Sequence, residues 1–153
     1  MTQLSALYQA VVLDHNRSPR NFRAVEPHDH AADGNNPLCG DRVHVELRLD
    51  AAGRIEDIGF DGEGCAISTA AASIMTEVLI GRTAEEARII SARFQRLVTD
   101  REAELAAADD DPALEKLQAL AGVRDYPMRV KCATLAWHTL QAALDSPGGQ
   151  RTE

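Results

Sequence analysis

Residues 35–50 read NNPLCGDRVHVELRLD, a turn that passes through a lone cysteine and enters an alternating strand pattern. Val43, Val45, Leu47 and Leu49 alternate with His44, Glu46 and Arg48, the period-two signature of a strand with one buried face. Cys39 precedes it among Asn, Pro, Gly and Asp, residues that make loops. A cysteine that only packs belongs in an apolar run. This thiol is therefore expected near the surface, where it needs a chemical reason.

Working outward, DAAGR (50–54) turns the chain, and Ile55, Ile58 and Phe60 predict a second strand that closes a hairpin. After DGEGC the character changes. AISTAAASIMTEVLIG (66–81) is rich in small and apolar residues and predicts a largely buried helix closed by Gly81. Thr83 and Glu86 form a capping box for a helix over 84–98. TDREAELAAADDD (99–111) is acidic without an apolar stripe and reads as exposed helix or mobile loop. Asp111 and Pro112 suit the cap and first position of a short helix that Gly122 stops, and Pro127 starts the last helix, over 128–145. Upstream, Leu4, Leu7, Tyr8, Val11 and Val12 fall at helical spacing and predict a helix over 3–16, ended by NRSPRN. Residues 27–36 read as loop, with a third strand ahead of the hairpin left open. Strands first and helices after give an α+β fold, a small antiparallel sheet with helices on one face. The expected organisation is one domain over 1–145, followed by a disordered tail at 146–153.

Composition narrows the function. The chain has 153 residues, 44% hydrophobic and 26% charged, the profile of a soluble globular domain. A net charge of −8 argues against a nucleic-acid surface, which rests on clustered Lys and Arg. No apolar run is long enough to span a membrane. The N-terminus lacks the layout of a signal peptide, so a cytoplasmic location and reduced thiols are expected.

The three cysteines then carry the question. Cys39 is in the loop before the strand, Cys65 directly before the small-residue helix, and Cys132 one turn into the last helix. Such element ends let distant segments converge, and Gly40 and Gly64 allow the tight backbone that a metal loop requires. The separations, 65 − 39 = 26 and 132 − 65 = 67, are not those of a zinc ribbon. Asp41 would complete a tetrahedral zinc site with three thiolates; its other reading is a turn residue capping backbone amides. His28 and His30 read as solvated, His44 as a residue of the polar strand face, and His15 and His138 have no evident partner.

LYQAVVLDHNRSPRN, NNPLCGD, GEGCAIS and RVKCATLAW together resemble the SufU and IscU-like family of iron–sulfur cluster assembly proteins, from about Leu7 to Leu144. The resemblance implies that family's α+β fold and a metal site at Cys39, Asp41, Cys65 and Cys132. IscU-type scaffolds carry a histidine directly before the third cysteine and an upstream Leu-Pro-Pro-Val-Lys motif. This chain has Lys131 and RDYPMRV there, and an insertion over about 92–125, which is similar to the SufU branch. That branch implies a zinc-dependent sulfurtransferase accepting persulfide from a SufS-type cysteine desulfurase, with downstream cluster-assembly proteins as further partners. It also implies that a desulfurase histidine takes the place of Cys39 on zinc, freeing Cys39 as nucleophile. Arg42, Arg129 and Lys131 are placed in sequence to offset the negative charge of such a site, and Arg129 also matches an arginine of the SufU motif. The alternative is a non-enzymatic scaffold that builds a [2Fe–2S] cluster on the same ligands.

Overall fold

The alternation over residues 43–49 folds as strand β2 (Asp41–Leu49) in the computed structural model, which describes residues 3–37, 40–100, 112–145 and 150–152. It pairs antiparallel with β3 (Ile55–Glu63) through the DAAGR turn, where the Asp50 carboxylate accepts from the backbone N–H groups of Ala52 and Arg54 at 2.9 Å. On its other side β2 pairs antiparallel with β1 (His30–Asn36). This corrects the reading of 27–36 as loop. HAADGNN has no β-branched or aromatic residue, so its strand state is set by the ladder to β2 and not by local propensity.

Helix α1 (Gln3–Arg17) precedes the sheet; α2 (Ala66–Leu79), α3 (Ala84–Thr99), α4 (Pro112–Leu120) and α5 (Pro127–Asp145) follow it. The Thr83–Glu86 capping box forms as expected, with both reciprocal hydrogen bonds present. Pro112 opens α4, but the chain does not stop at Gly122, which lies inside a short 3-10 turn over Ala121–Asp125. Asp111 and most of the acidic run, 101–111, lie outside the described residues. Gln150–Thr152 forms β4 and pairs in parallel with the otherwise open edge of β1, giving the order β3-β2-β1-β4.

Val43, Val45 and Leu47 of β2 are buried on one face and join Ile74 and Met75 of α2 and Trp137 and Leu140 of α5 in a single core. Each such side chain contributes about 1.5–3 kcal/mol by leaving water. Phe94 of α3 lies against Trp137 at 5.6 Å between ring centroids and closes this layer. The turn after α1 is stapled to α2: Ser73 Oγ accepts from the Arg20 N–H at 2.8 Å and is hydrogen-bonded to buried His15 at 2.7 Å. His15 thus has a partner that its sequence neighbours do not reveal. α5 lies across β1 and β2 while α2 lies beside it, so the start of β2, the start of α2 and the second turn of α5 meet at one end of the sheet.

Candidate metal centre

Asp41, Cys65 and Cys132 come together at that end, their ligand atoms all within 4.8 Å of one another. Each is held there by a separate local device. Asp41 is the first residue of β2 and shares the inward face of Val43, which leaves its carboxylate 1% exposed. Its Oδ1 accepts from the backbone N–H of Cys65 at 3.0 Å, which ties the start of β2 to the start of α2. The turn reading of Asp41 is thus correct in part, because the carboxylate caps an amide while facing both thiols.

Cys65 is the N-cap of α2, its sulfur accepting from Ser68 N at 3.4 Å. The unpaired N–H groups of a helix start face that position and favour negative charge there. Gly64, just before it, cannot carry a side chain: a Cβ would lie 2.7 Å from Asp41 Oδ1. Gly40 has φ +74, which favours glycine directly after Cys39 and before Asp41. Cys132 is buried, 1% exposed, on the inward side of α5.

Arg129 lies three residues before Cys132, on the same face of α5. Its guanidinium hydrogen-bonds the Cys132 sulfur and is near enough to Cys65 that both thiols raise its pKa. Tyr8 of α1 walls the site from the other side, buried and stacked on Tyr126 at 6.0 Å. Burial, then Tyr126 and Cys65, push its hydroxyl up to about 12, so it remains protonated. The sequence marked Tyr8 only as part of a helical stripe; nothing in that pattern announces a site wall.

The other expected residues are placed differently. Arg42 alternates with Asp41 and therefore points to the opposite face of the sheet, where it pairs with Glu63 at 2.9 Å. Lys131 is exposed beside the site. Cys39 lies outside the described residues. His28 is hydrogen-bonded to Val25 O at 3.0 Å, and His30 Nδ1 donates to Ala143 O at 2.8 Å at the end of α5.

The donor set fits a thiophilic ion. A tetrahedral zinc with sulfur at about 2.3 Å and oxygen at about 2.0–2.2 Å sets its ligand atoms roughly 3.5–3.8 Å apart. Three donors already within 4.8 Å reach that spacing by small side-chain rotations, and the bare backbone at Gly64 keeps the Asp41 side clear. Two thiols and a carboxylate are suited to zinc and iron and poorly suited to magnesium or calcium.

Comparison with known proteins agrees with this geometry. Residues 7–146 match the NifU-like N terminal domain family. The zinc-dependent sulfurtransferase SufU of Bacillus subtilis (strain 168) is 39% identical over 146 residues, covering 95% of each chain. The iron–sulfur cluster assembly scaffold protein IscU of Streptococcus pyogenes serotype M1 is 39% identical over 147 residues, covering 94% of this chain and 86% of that protein. Among solved structures, one from Fervidobacterium islandicum AW-1, described as an iron–sulfur cluster assembly scaffold for the SUF system, superposes with a TM-score of 0.77 at 31% identity. It covers 91% of this chain and 97% of its own.

Proposed function

Because the chain belongs to the NifU-like N-terminal domain family, we propose that it is a zinc-dependent sulfurtransferase, accepting persulfide sulfur from a SufS-type cysteine desulfurase for iron–sulfur cluster biogenesis. The convergence of Asp41, Cys65 and Cys132, with Cys39 two residues before Asp41 in the chain, is the observation that supports this reading most. Cys39, Asp41, Cys65 and Cys132 would hold the ion. Zinc, when bound, supplies a Lewis acid that keeps coordinated thiols as thiolates at neutral pH.

Cys39 is the acceptor. Its thiolate attacks the outer sulfur of the desulfurase persulfide and forms a new S–S bond. The old S–S bond breaks, and its electron pair leaves on the desulfurase cysteine, which takes up a proton. Nothing is oxidised or reduced overall, and Cys39 carries the sulfane sulfur onward. Arg129 offsets a donor set whose formal charge with zinc is 2 − 4 = −2, while Lys131 adds positive charge at the rim. Tyr8 keeps water from one side of the two buried ligands.

The same donors would serve a scaffold for a [2Fe–2S] cluster, the activity named for the streptococcal relative. Metal analysis and an absorption spectrum of protein purified without oxygen separate the two. We expect about one zinc per chain and a colourless solution; stoichiometric iron with acid-labile sulfide would support the scaffold instead. Chelation should also lower the melting temperature. At a thousandfold excess of free zinc over its dissociation constant, binding adds about 4 kcal/mol, roughly 8–16 °C for a domain of this size. Equal melting with and without metal would remove zinc from the fold.

Asp41→Ala should weaken zinc binding without abolishing it, because water can occupy the vacated corner. It should also cost about 1–3 kcal/mol in the metal-free protein, since the Cys65 N–H loses its acceptor. Zinc titration and thermal melts read the two effects separately. Unchanged zinc affinity would reduce Asp41 to its capping role.

A further inference from the structure

The sheet face turned away from the helices carries Arg42, His44, Glu46 and Arg48 of β2, beside Asp33 of β1 and Asp57, Asp61 and Glu63 of β3. Most of these charges form simple pairs: Arg42 with Glu63 at 2.9 Å, Arg48 with Glu56 at 3.4 Å, and Asp57 with Arg23 at 2.6 Å. His44 is bonded at both ends of its ring. Nδ1 is 2.8 Å from Asp33 Oδ1 and Nε2 is 2.8 Å from Glu46 Oε2. An ionised carboxylate only accepts hydrogen bonds, and a neutral imidazole has one N–H to give. Both bonds coexist only on the doubly protonated ring.

We propose that Asp33, His44 and Glu46 form a pH-sensitive clamp on the β1–β2 hairpin, closed by the imidazolium and released at Asp33 when the ring loses a proton. The side on which it opens follows from burial. Glu46 has a side chain 15% exposed and already accepts from Val25 N at 2.9 Å, whereas the Asp33 side chain is 57% exposed and rehydrates readily. The remaining N–H therefore stays with Glu46.

The other charges around the ring act in known directions. Asp61 stands opposite His44 in the β3 register and favours the cation. Arg42, two residues along β2, opposes it but is engaged by Glu63. His28 approaches the second oxygen of Glu46 at 3.5 Å, and Arg151 of β4 stands opposite Asp33 in register. Burial works against the charged ring, yet the hydrogen bonds to Glu46 and Asp33 outweigh it and raise the pKa of His44. A pKa raised in the folded state gives stability that is complete below the ordinary histidine value, near ~6.5, and lost as pH rises through the raised value. The Asp33–His44 pair lies in the same ladder as Asn36–Asp41, so the clamp sets how firmly β1 is held at the end that leads in sequence to Cys39.

Nitrogen NMR of the His44 ring through a pH titration tests this directly, together with amide exchange over His30–Asn36 corrected for intrinsic rates. The expected result is a ring protonated on both nitrogens at pH 6, with a midpoint above ~6.5 that moves down in Asp33→Asn. Protection of the β1 amides should fall across that midpoint in the wild type and stay level in His44→Gln. A midpoint at or below the ordinary value, or one that Asp33→Asn leaves in place, overturns the clamp. Should either variant fail to fold, the wild-type spectrum still decides: a ring carrying one proton at pH 6 excludes the double bridge.

Discussion

Cys39→Ala is expected to fold, to keep much of its zinc, and to lose sulfur transfer completely. Zinc retention follows from the three remaining donors, Asp41, Cys65 and Cys132, which sit within 4.8 Å of one another on three rigid element ends and leave one corner for water. Loss of transfer follows from chemistry, because no thiolate is left to attack the persulfide. Removing an enzyme's nucleophile costs on the order of 10⁶ in rate where it has been measured, so turnover with the desulfurase should drop to background. In the wild type, labelled persulfide should be found by mass spectrometry on Cys39 and not on Cys65 or Cys132. Label spread over all three cysteines, or full transfer by Cys39→Ala, would sink the proposed mechanism.

The second large effect concerns the two anchored thiols, which should differ from Cys39 and from each other. Cys65→Ser and Cys132→Ser should both release zinc, since a serine hydroxyl is not ionised at neutral pH and replaces a thiolate poorly. Their melting temperatures should therefore no longer respond to a chelator. In the metal-free state the two should then separate. Serine is itself a favoured N-cap, so Cys65→Ser preserves the helix start that Cys65 now caps through Ser68 N. A hydroxyl in place of Cys132 enters a position only 1% exposed, where a polar group costs more to bury than a thiol even beside Arg129. Thermal melts of the apo proteins should rank Cys65→Ser above Cys132→Ser. The reverse order would mean that the cap at α2 depends on sulfur and not on its capping geometry.

Legibility in the sequence followed local chemistry. Cys65 could be placed because it directly precedes a small-residue helix that is plain in the sequence, and Cys132 because Pro127 fixes where α5 begins. The Thr83–Glu86 box and the hairpin at DAAGR are likewise local and formed as read. Strand β1 was hidden because HAADGNN carries no strand signal of its own and is ordered by its neighbour. In the site, the Asp41–Cys65–Cys132 convergence was legible through family resemblance, since separations of 24 (65 − 41) and 67 (132 − 65) residues say nothing about proximity. Arg129 was marked by its motif, and its place at the sulfurs follows from helical spacing. Arg42 looked equivalent, but strand alternation turns it to the other face of the sheet. Tyr8 reaches the site only through the packing of α1 against later helices, which no local pattern encodes.

The tie between Asp41 and the Cys65 amide has a consequence for how the chain is made. Synthesis delivers these two residues 65 − 41 = 24 positions apart, inside one β-hairpin and the helix start that follows it. Cys132 emerges 132 − 65 = 67 residues later, on the last helix. A nascent chain can therefore preassemble two of these three donors, but the third arrives only when α5 has been translated and laid across β1 and β2. Capture of a metal by all three thus reports a finished chain, so a fragment truncated before Pro127 is distinguished from the whole protein by the ion it fails to keep.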